Sequence, residues 1–354
     1  MNKNKVIIGM SGGVDSSVSA YLLKQQGYEV IGVTLNHKKE ESFLEEIKAA
    51  KRIANFIGIK HREIDMEELF QKEVIDRFIS DYSNGITPSP CVICDERVKF
   101  KLLFDIALEE NAYYVATGHY CKVEYNDEFK TNLLKVGKDI KKDQSYMLSR
   151  LDTDKLPRII FPLYNYTKEE IRKIAQEAKI EVHDKKDSQG ICFAKSGYID
   201  FLKFQLKDKI KKGNFIESKS GKILGEHNGY QLYTIGQRRG LGLKLPKPYF
   251  IIDINPLKNE IILGDYCELK RKKVELIEYK AAVEIDKLKD RILIARPRFS
   301  SSGSKGYIIR ENNKIYFEYI EENCHNAPGQ HLVLYLNDYI VGTGIIIFNK
   351  KNFS

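Results

Sequence analysis

Two cysteines three residues apart, and a third far along the chain, are the side chains in this sequence best suited to covalent chemistry. The pair stands in Pro88-Ser89-Pro90-Cys91-Val92-Ile93-Cys94-Asp95. Each proline restricts the residue before it, so the approach to the pair is extended. The pattern predicts a helix that Cys94 opens and that runs through Lys99 and Leu103. A thiol at a helix N-terminus has its thiolate stabilised and its reactivity raised. The third, Cys192, follows Asp187-Ser188-Gln189-Gly190-Ile191, a polar run that reads as an accessible loop. A zinc site would need a second pair at suitable spacing, and Cys121 alone does not supply one. The competing reading is three buried, inert thiols. Cys121, Cys267 and Cys324 read as structural, and the seven histidines show no metal-ligand spacing. His119 stands out only because Gly118-His119 ends a strand.

A second chemical signal opens the chain. Val6-Ile7-Ile8-Gly9 is a short apolar run, Met10-Ser11-Gly12-Gly13 a turn of mostly small residues, and Val14-Asp15-Ser16-Ser17 leads into an amphipathic segment. The order predicts strand, loop and helix, with the helix starting near Ser16. Small residues let backbone N–H groups approach a ligand, and the helix N-terminus attracts anions, so the unit is a phosphate cradle. It is not a Walker loop, because Asp15 stands where a lysine would help.

These residues need a scaffold that gathers them. Apolar runs at 28–35, 60–64 and 112–116 alternate with helical periodicity at 43–57, 69–82 and 98–108, which predicts a parallel sheet with helices on both faces. Ligands bind beyond the carboxyl ends of such strands, and that rule places Gly9, Leu35 and Gly118 along one edge. A hairpin is expected over 121–136, and Thr167–Glu170 reads as a capping box opening a helix through Lys179. Further on, lysines thicken over 203–222. Short β-rich runs at 281–285, 292–295, 306–310, 315–320, 331–336 and 339–348 predict a small antiparallel barrel or sandwich. The boundaries expected are 1–197, 198–269 and 270–354.

Composition bounds the rest. The 354 residues carry 42% hydrophobic and 30% charged side chains, which are globular values, and a net charge of +9, which favours an acidic partner such as nucleic acid. No run is long and apolar enough for a membrane span, and the N-terminal apolar stretch is too short for a signal peptide. A cytoplasmic location follows as the expectation, where six cysteines serve catalysis, metals or the core rather than stapling disulfides.

The run S-G-G-V-D-S-S resembles the pyrophosphate loop of ATP pyrophosphatases. With T-P-S-P-C-V-I-C, A-T-G-H-Y, K-K-D-Q-S-Y, K-K-D-S-Q-G-I-C-F, Y-T-I-G-Q-R-R-G-L-G and A-P-G-Q following in order, nearly the whole chain resembles the bacterial tRNA-specific 2-thiouridylases. The resemblance implies an N-terminal nucleotide-binding α/β domain, a small central tRNA-binding domain and a C-terminal β-barrel. It implies that ATP, with Mg2+, adenylates wobble uridine 34 of tRNA, and that a cysteine persulfide then supplies sulfur. Carried over by motif, Gly9, Met10, Ser11, Gly12, Gly13, Val14, Asp15 and Ser16 would hold ATP, with Leu35 and Gly118 near the adenosine. Cys94 would be the nucleophile and Cys192 the persulfide carrier, joined in a transient disulfide after sulfur release. Ser89, Pro90 and Cys91 would meet the target base. His119, Lys142, Asp143, Gln144, Arg298, Phe299 and Gln330 would contact tRNA. A sulfur-donor protein is the implied second partner of an expected monomer. The sequence departs from the family where Cys91 replaces a common aspartate, Ser89 an asparagine and Leu35 a methionine.

Three other readings follow from the same residues. Cys91, Cys94 and Cys192 could ligate a [4Fe–4S] cluster serving the same thiolation. A small-molecule ligase of the ATP-pyrophosphatase type would need neither the thiols nor the basic C-terminal half. A tRNA-binding protein with a degenerate nucleotide site would not need the intact loop.

Overall fold

The structure is a computed structural model that describes residues 1–37, 41–181 and 190–348. It divides into two compact units. The first holds Met1–Val74, the stretch from Cys91 to the end of its described residues, and Asp338–Ile340. Its leading elements are β1 (Asn2–Gly9), α1 (Val14–Gln25), β2 (Glu29–Asn36), α2 (Glu41–Ile57), β3 (Lys60–Asp65) and α3 (Glu67–Phe70). After α4 (Asp76–Ser83), which belongs to the second unit, come α5 (Pro90–Cys94), α6 (Phe100–Glu109) and β4 (Ala112–Ala116). The unit continues with β5 (Cys121–Asn126), β6 (Thr131–Val136), β7 (Ile159–Ile160) and α7 (Lys168–Glu177).

The sheet has the order β3-β2-β1-β4-β7, and every pairing in it is parallel. Its central strand β1 is covered on both faces, and Val6, Ile7 and Ile8 are fully buried. That burial explains why β1 reads as a continuous apolar run rather than an alternating one. Val6 and Ile8 join a core with Val18 of α1, Ile53 of α2 and Ile171 of α7. On the alternate face, the missing side chain of Gly9 meets Leu103 of α6 at 3.6 Å from an ideal Cβ. Strand order reverses on either side of β1, the switch point where such sheets open a ligand crevice.

Helix ends are set by local chemistry. Gly27, at φ +87°, ends α1, with the Tyr28 N–H bonded to the Leu23 carbonyl. At α7 the Thr167 hydroxyl accepts from the Glu170 N–H, and the Glu170 carboxylate accepts from the Thr167 N–H, as the sequence predicted.

The second unit holds Ile75–Pro90, the described residues from Gly190 to Asn337, and those from Val341 to Phe348. It contains α8 (Tyr198–Leu206) and a four-stranded sheet of β8 (Gly213–Glu217), β9 (Ile223–His227), β10 (Phe250–Asn255) and β11 (Glu260–Gly264), in the order β10-β11-β8-β9. The remaining strands are β12 (Arg271–Ala281), β13 (Leu293–Arg296), β14 (Ser304–Glu311), β15 (Lys314–Asn323), β16 (His331–Leu336) and β17 (Tyr339–Ile347). They run β12-β15-β14-β13-β16-β17, and β12 pairs again with β17, closing a six-stranded barrel around buried Phe317, Tyr319 and Tyr335. Closure removes the exposed strand edges that a small sandwich would keep.

Two sequence expectations fail locally. The run at 281–285 is not a strand: the first barrel strand is Arg271–Ala281, and Ile285–Leu288 is a helical turn. Val283, Ile285 and Leu288 are buried, and a short apolar run does not by itself distinguish strand from buried turn. Cys94 does not open its helix. The helical path starts at Pro90, a favoured first position, so Cys91 sits in the first turn and Cys94 a turn later. A π-helical stretch, Asp95–Lys99, then links α5 to α6. Such stretches gather at functional sites.

Candidate functional site

In the first unit the carboxyl ends of β1, β2 and β4 carry the Gly9–Ser16 loop, Leu35 and Gly118, the grouping expected from the sequence. Hydroxyls shape the loop. The Ser11 N–H donates to Ser16 Oγ at 3.1 Å, while the Ser16 and Ser17 hydroxyls donate to the Gly13 carbonyl at 3.2 and 2.7 Å. Gly12 adopts φ +67°, and a Cβ there would stand 2.5 Å from the Glu46 carbonyl, so only glycine fits. Gly13 caps α1, which begins at Val14, two residues before the start expected from the sequence.

One cation completes the loop. Lys168 Nζ donates to both carboxylate oxygens of Asp15 at 2.8 Å, and the Tyr120 hydroxyl donates to Asp15 Oδ1 at 2.7 Å. The Lys168 side chain is only 10% exposed. The sequence reading missed this lysine, although a signal existed. Lys168 is the first residue of α7, where the helix dipole favours acids, and a lysine there needs another reason.

The turn Thr117-Gly118-His119-Tyr120 ties the loop to the paired thiols. A Cβ on Gly118 would lie 2.8 Å from the Ser16 nitrogen and 2.9 Å from the Asp15 carbonyl carbon. Gly118→Ala is therefore expected to displace the start of α1, cost about 1–3 kcal/mol and weaken ATP binding, as read by thermal denaturation and nucleotide titration. Tyr120 reaches Asp15, and the Gln144 side-chain oxygen accepts from the Tyr120 N–H at 3.2 Å. His119 Nδ1 is 2.7 Å from the Thr117 hydroxyl, and Nε2 is 4.0 Å from Asp95 Oδ2. Asp95 is buried and ion-paired with Lys99. Burial opposes the Lys99 charge, but Asp95 and the thiols of Cys94 and Cys91 outweigh it and hold the ammonium protonated above its usual range. Lys99 thus lies within electrostatic reach of both cysteines. The i,i+4 spacing of Asp95 and Lys99 was the available signal for this pair.

Burial, only partly offset by Asp95, pushes the His119 pKa down to about 4, so the ring is neutral at physiological pH. The unfolded chain binds this proton near the usual pKa of about 6.5 and the folded chain does not. Stability is then full above that value and falls as pH drops towards 4, by at most about 3 kcal/mol from this group. Urea denaturation at pH 7 and pH 5 should show the loss, and His119→Asn should flatten it.

The remaining expected residues fall into two groups. In the first unit Asp143 is buried, and both its oxygens accept from Ser145, which fixes the turn between Lys142 and Gln144. Cys121 is buried; burial and nearby Asp143 push its thiol pKa up, in keeping with a structural role. In the second unit the Thr87 N–H bonds the Pro328 carbonyl, and a Cβ on Gly329 would meet Ile86 at 2.1 Å. These contacts bring Gln330 beside the approach to Ser89 and Pro90. The Gln330 Oε1 is buried without a hydrogen-bond partner among the described residues. Arg298 Nη2 donates to the Ile235 carbonyl at 3.5 Å, beside Gly236, while Phe299 is exposed. Cys192 is exposed. The next residue, Phe193, anchors it by packing on Phe78 and Phe201, with ring centroids 5.2 and 5.1 Å away. The loop residues 185–189 lie outside the described residues.

A switch-point sheet with a small-residue loop feeding a helix, and an aspartate in place of the Walker lysine, defines a nucleotide-binding α/β domain of the pyrophosphate-loop class. A family model described as a tRNA methyl transferase HUP domain matches residues 4–196, and one described as a tRNA methyl transferase PRC-barrel domain matches residues 199–265. The chain is 58% identical over 342 residues to tRNA-specific 2-thiouridylase MnmA 2 of Fusobacterium nucleatum, covering 97% of this chain and 99% of that one. It is 43% identical over 361 residues to tRNA-specific 2-thiouridylase MnmA of Clostridioides difficile, covering 98% of each. The chain belongs to the family of tRNA-specific 2-thiouridylases.

Proposed function

We propose that this chain is an ATP-dependent tRNA-uridine 2-sulfurtransferase acting on wobble uridine 34. The observation that supports it most is the turn 117–120, which backs the phosphate loop through Gly118 and Tyr120 and reaches, through His119 and Asp95, the lysine beside Cys94. A C2 carbonyl of uracil is a poor electrophile, so its oxygen must become a leaving group before sulfur can enter. The Gly9–Ser16 loop would hold the ATP phosphates, with Mg2+ travelling on the triphosphate, so that the α-phosphate faces O2 of the base. Pyrophosphate leaves, and the adenylated base accepts the terminal sulfur of a persulfide on Cys192, releasing AMP. The Cys94 thiolate then attacks Cys192 Sγ, breaks the bond to the transferred sulfur and forms the Cys94–Cys192 disulfide. Ser89, Pro90 and Gln330 would receive the flipped base, a displacement that single-stranded anticodon loops permit at modest cost. Lys142, Gln144, Arg298 and Phe299 would hold the rest of the anticodon arm, with residues 198–269 as a tRNA-binding domain and the net charge of +9 suited to its phosphates. A cysteine desulfurase or sulfur-relay protein supplies the persulfide. The domain boundaries at 197 and 269, a monomer and a cytoplasmic site complete the proposal; no described helix is long and apolar enough to cross a membrane.

The iron–sulfur alternative is not favoured: among the described residues no group of three metal-binding side chains is gathered. The small-molecule ligase is not favoured either, since the relatives over the whole chain are tRNA thiouridylases. Pyrophosphate release tests the reading: it should require an unmodified tRNA bearing wobble uridine, and equal release without tRNA would refute it.

A further inference from the structure

The mechanism above uses Cys94 and Cys192 and leaves Cys91 without a chemical task. Cys91 lies three residues before Cys94 on the same short helix, so the two side chains share one face, with Cβ atoms about 5–6 Å apart in a regular helix. A disulfide needs about 3.5–4.5 Å between Cβ atoms, so a small local adjustment would join them. The place allows one: the pair occupies the first turns of its helix, and the hydrogen-bond spacing changes from α to π directly after Cys94. Both thiols are half-buried, and neither is in a disulfide. Lys99, fixed by buried Asp95, lies within electrostatic reach of both sulfurs.

We propose that Cys91 is a resolving thiol that moves the disulfide off Cys192 and onto its own helix. The proposal rests on the thiouridylase reading. The Cys91 thiolate attacks Cys94 Sγ in the Cys94–Cys192 disulfide. The Cys91–Cys94 bond forms, the Cys94–Cys192 bond breaks, and Cys192 departs as a thiolate that takes one proton from solvent. One disulfide is exchanged for another, so no oxidant or reductant takes part in this step. Cys192 is thereby ready to accept a new sulfane sulfur while the oxidised pair awaits an external dithiol. The two tasks, carrying sulfur and carrying the oxidation, are then held by different cysteines.

The test is disulfide mapping after one turnover. Protein loaded with persulfide is mixed anaerobically with ATP, magnesium and tRNA, quenched in acid, alkylated and digested for mass spectrometry. The expected result is 2-thiouridine in the tRNA and at least about tenfold more Cys91–Cys94 than Cys94–Cys192 linkage. In Cys91→Ser the linkage should remain at Cys94–Cys192. Thiouridine formed together with a lasting Cys94–Cys192 linkage and alkylated Cys91 in the wild type overturns the inference alone. Absence of thiouridine refutes the functional reading instead. In that case the wild-type protein in a glutathione redox buffer still decides: a Cys91–Cys94 bond supports the pair, and a glutathione adduct on Cys94 beside alkylated Cys91 refutes it.

Discussion

Cys192→Ser should reduce 2-thiouridine formation to below about a thousandth of the wild-type rate while pyrophosphate release in the presence of tRNA continues. A hydroxyl cannot hold a sulfane sulfur, so the second half-reaction loses its donor. The first half-reaction uses the loop, its supports and the bound base, and nothing at Cys192 enters it. The substitution is structurally mild, because Cys192 is exposed and the neighbouring Phe193 is held by Phe78 and Phe201. Parallel assays of pyrophosphate and modified nucleoside check the split. Loss of both activities would mean that Cys192 acts before sulfur transfer; retention of both would remove it from the reaction.

Asp15→Ala should damage stability and the first half-reaction together. Removing the carboxylate takes the Asp15 ion pair away from the nearly buried Lys168 ammonium. Breaking a fully buried pair costs about 3–5 kcal/mol; Asp15 is 31% exposed, so about 2–3 kcal/mol is expected here. Lys168→Met should cost less, since the remaining carboxylate can be hydrated. Pyrophosphate release should nevertheless fall at least about tenfold in both variants, because Asp15, Lys168 and Tyr120 fix the start of α1 against the turn at Gly118. Denaturation midpoints and pyrophosphate assays on the two proteins separate the effects. An Asp15→Ala protein with unchanged stability and release would show that the pair does not organise the loop.

Much of this arrangement is legible in the sequence. The apolar run before Gly9 and the alternation of strand and helix define the parallel sheet, because its central strand β1 is buried on both faces. Gly12 and Gly118 were legible as small residues, but their reasons were not: one avoids the Glu46 carbonyl, the other the Ser16 nitrogen, and neither neighbour is close in sequence. Lys168 escaped notice because its partner is 153 residues away. Cys94 was placed at a helix start because two prolines suggested an extended approach, whereas Pro90 is itself tolerated in the first turn. The strand expected at 281–285 failed for a different reason, since alternation over a few apolar residues fits a buried turn equally well.

The most direct test of the account is mass spectrometry of tRNA nucleosides after incubation of the purified chain with ATP, magnesium, a persulfide source and tRNA lacking the modification. The account predicts that wobble uridine is converted to 2-thiouridine, with pyrophosphate and AMP released in step with it. ATP consumption with the uridine left unchanged, or sulfur incorporated at another nucleoside, would contradict it.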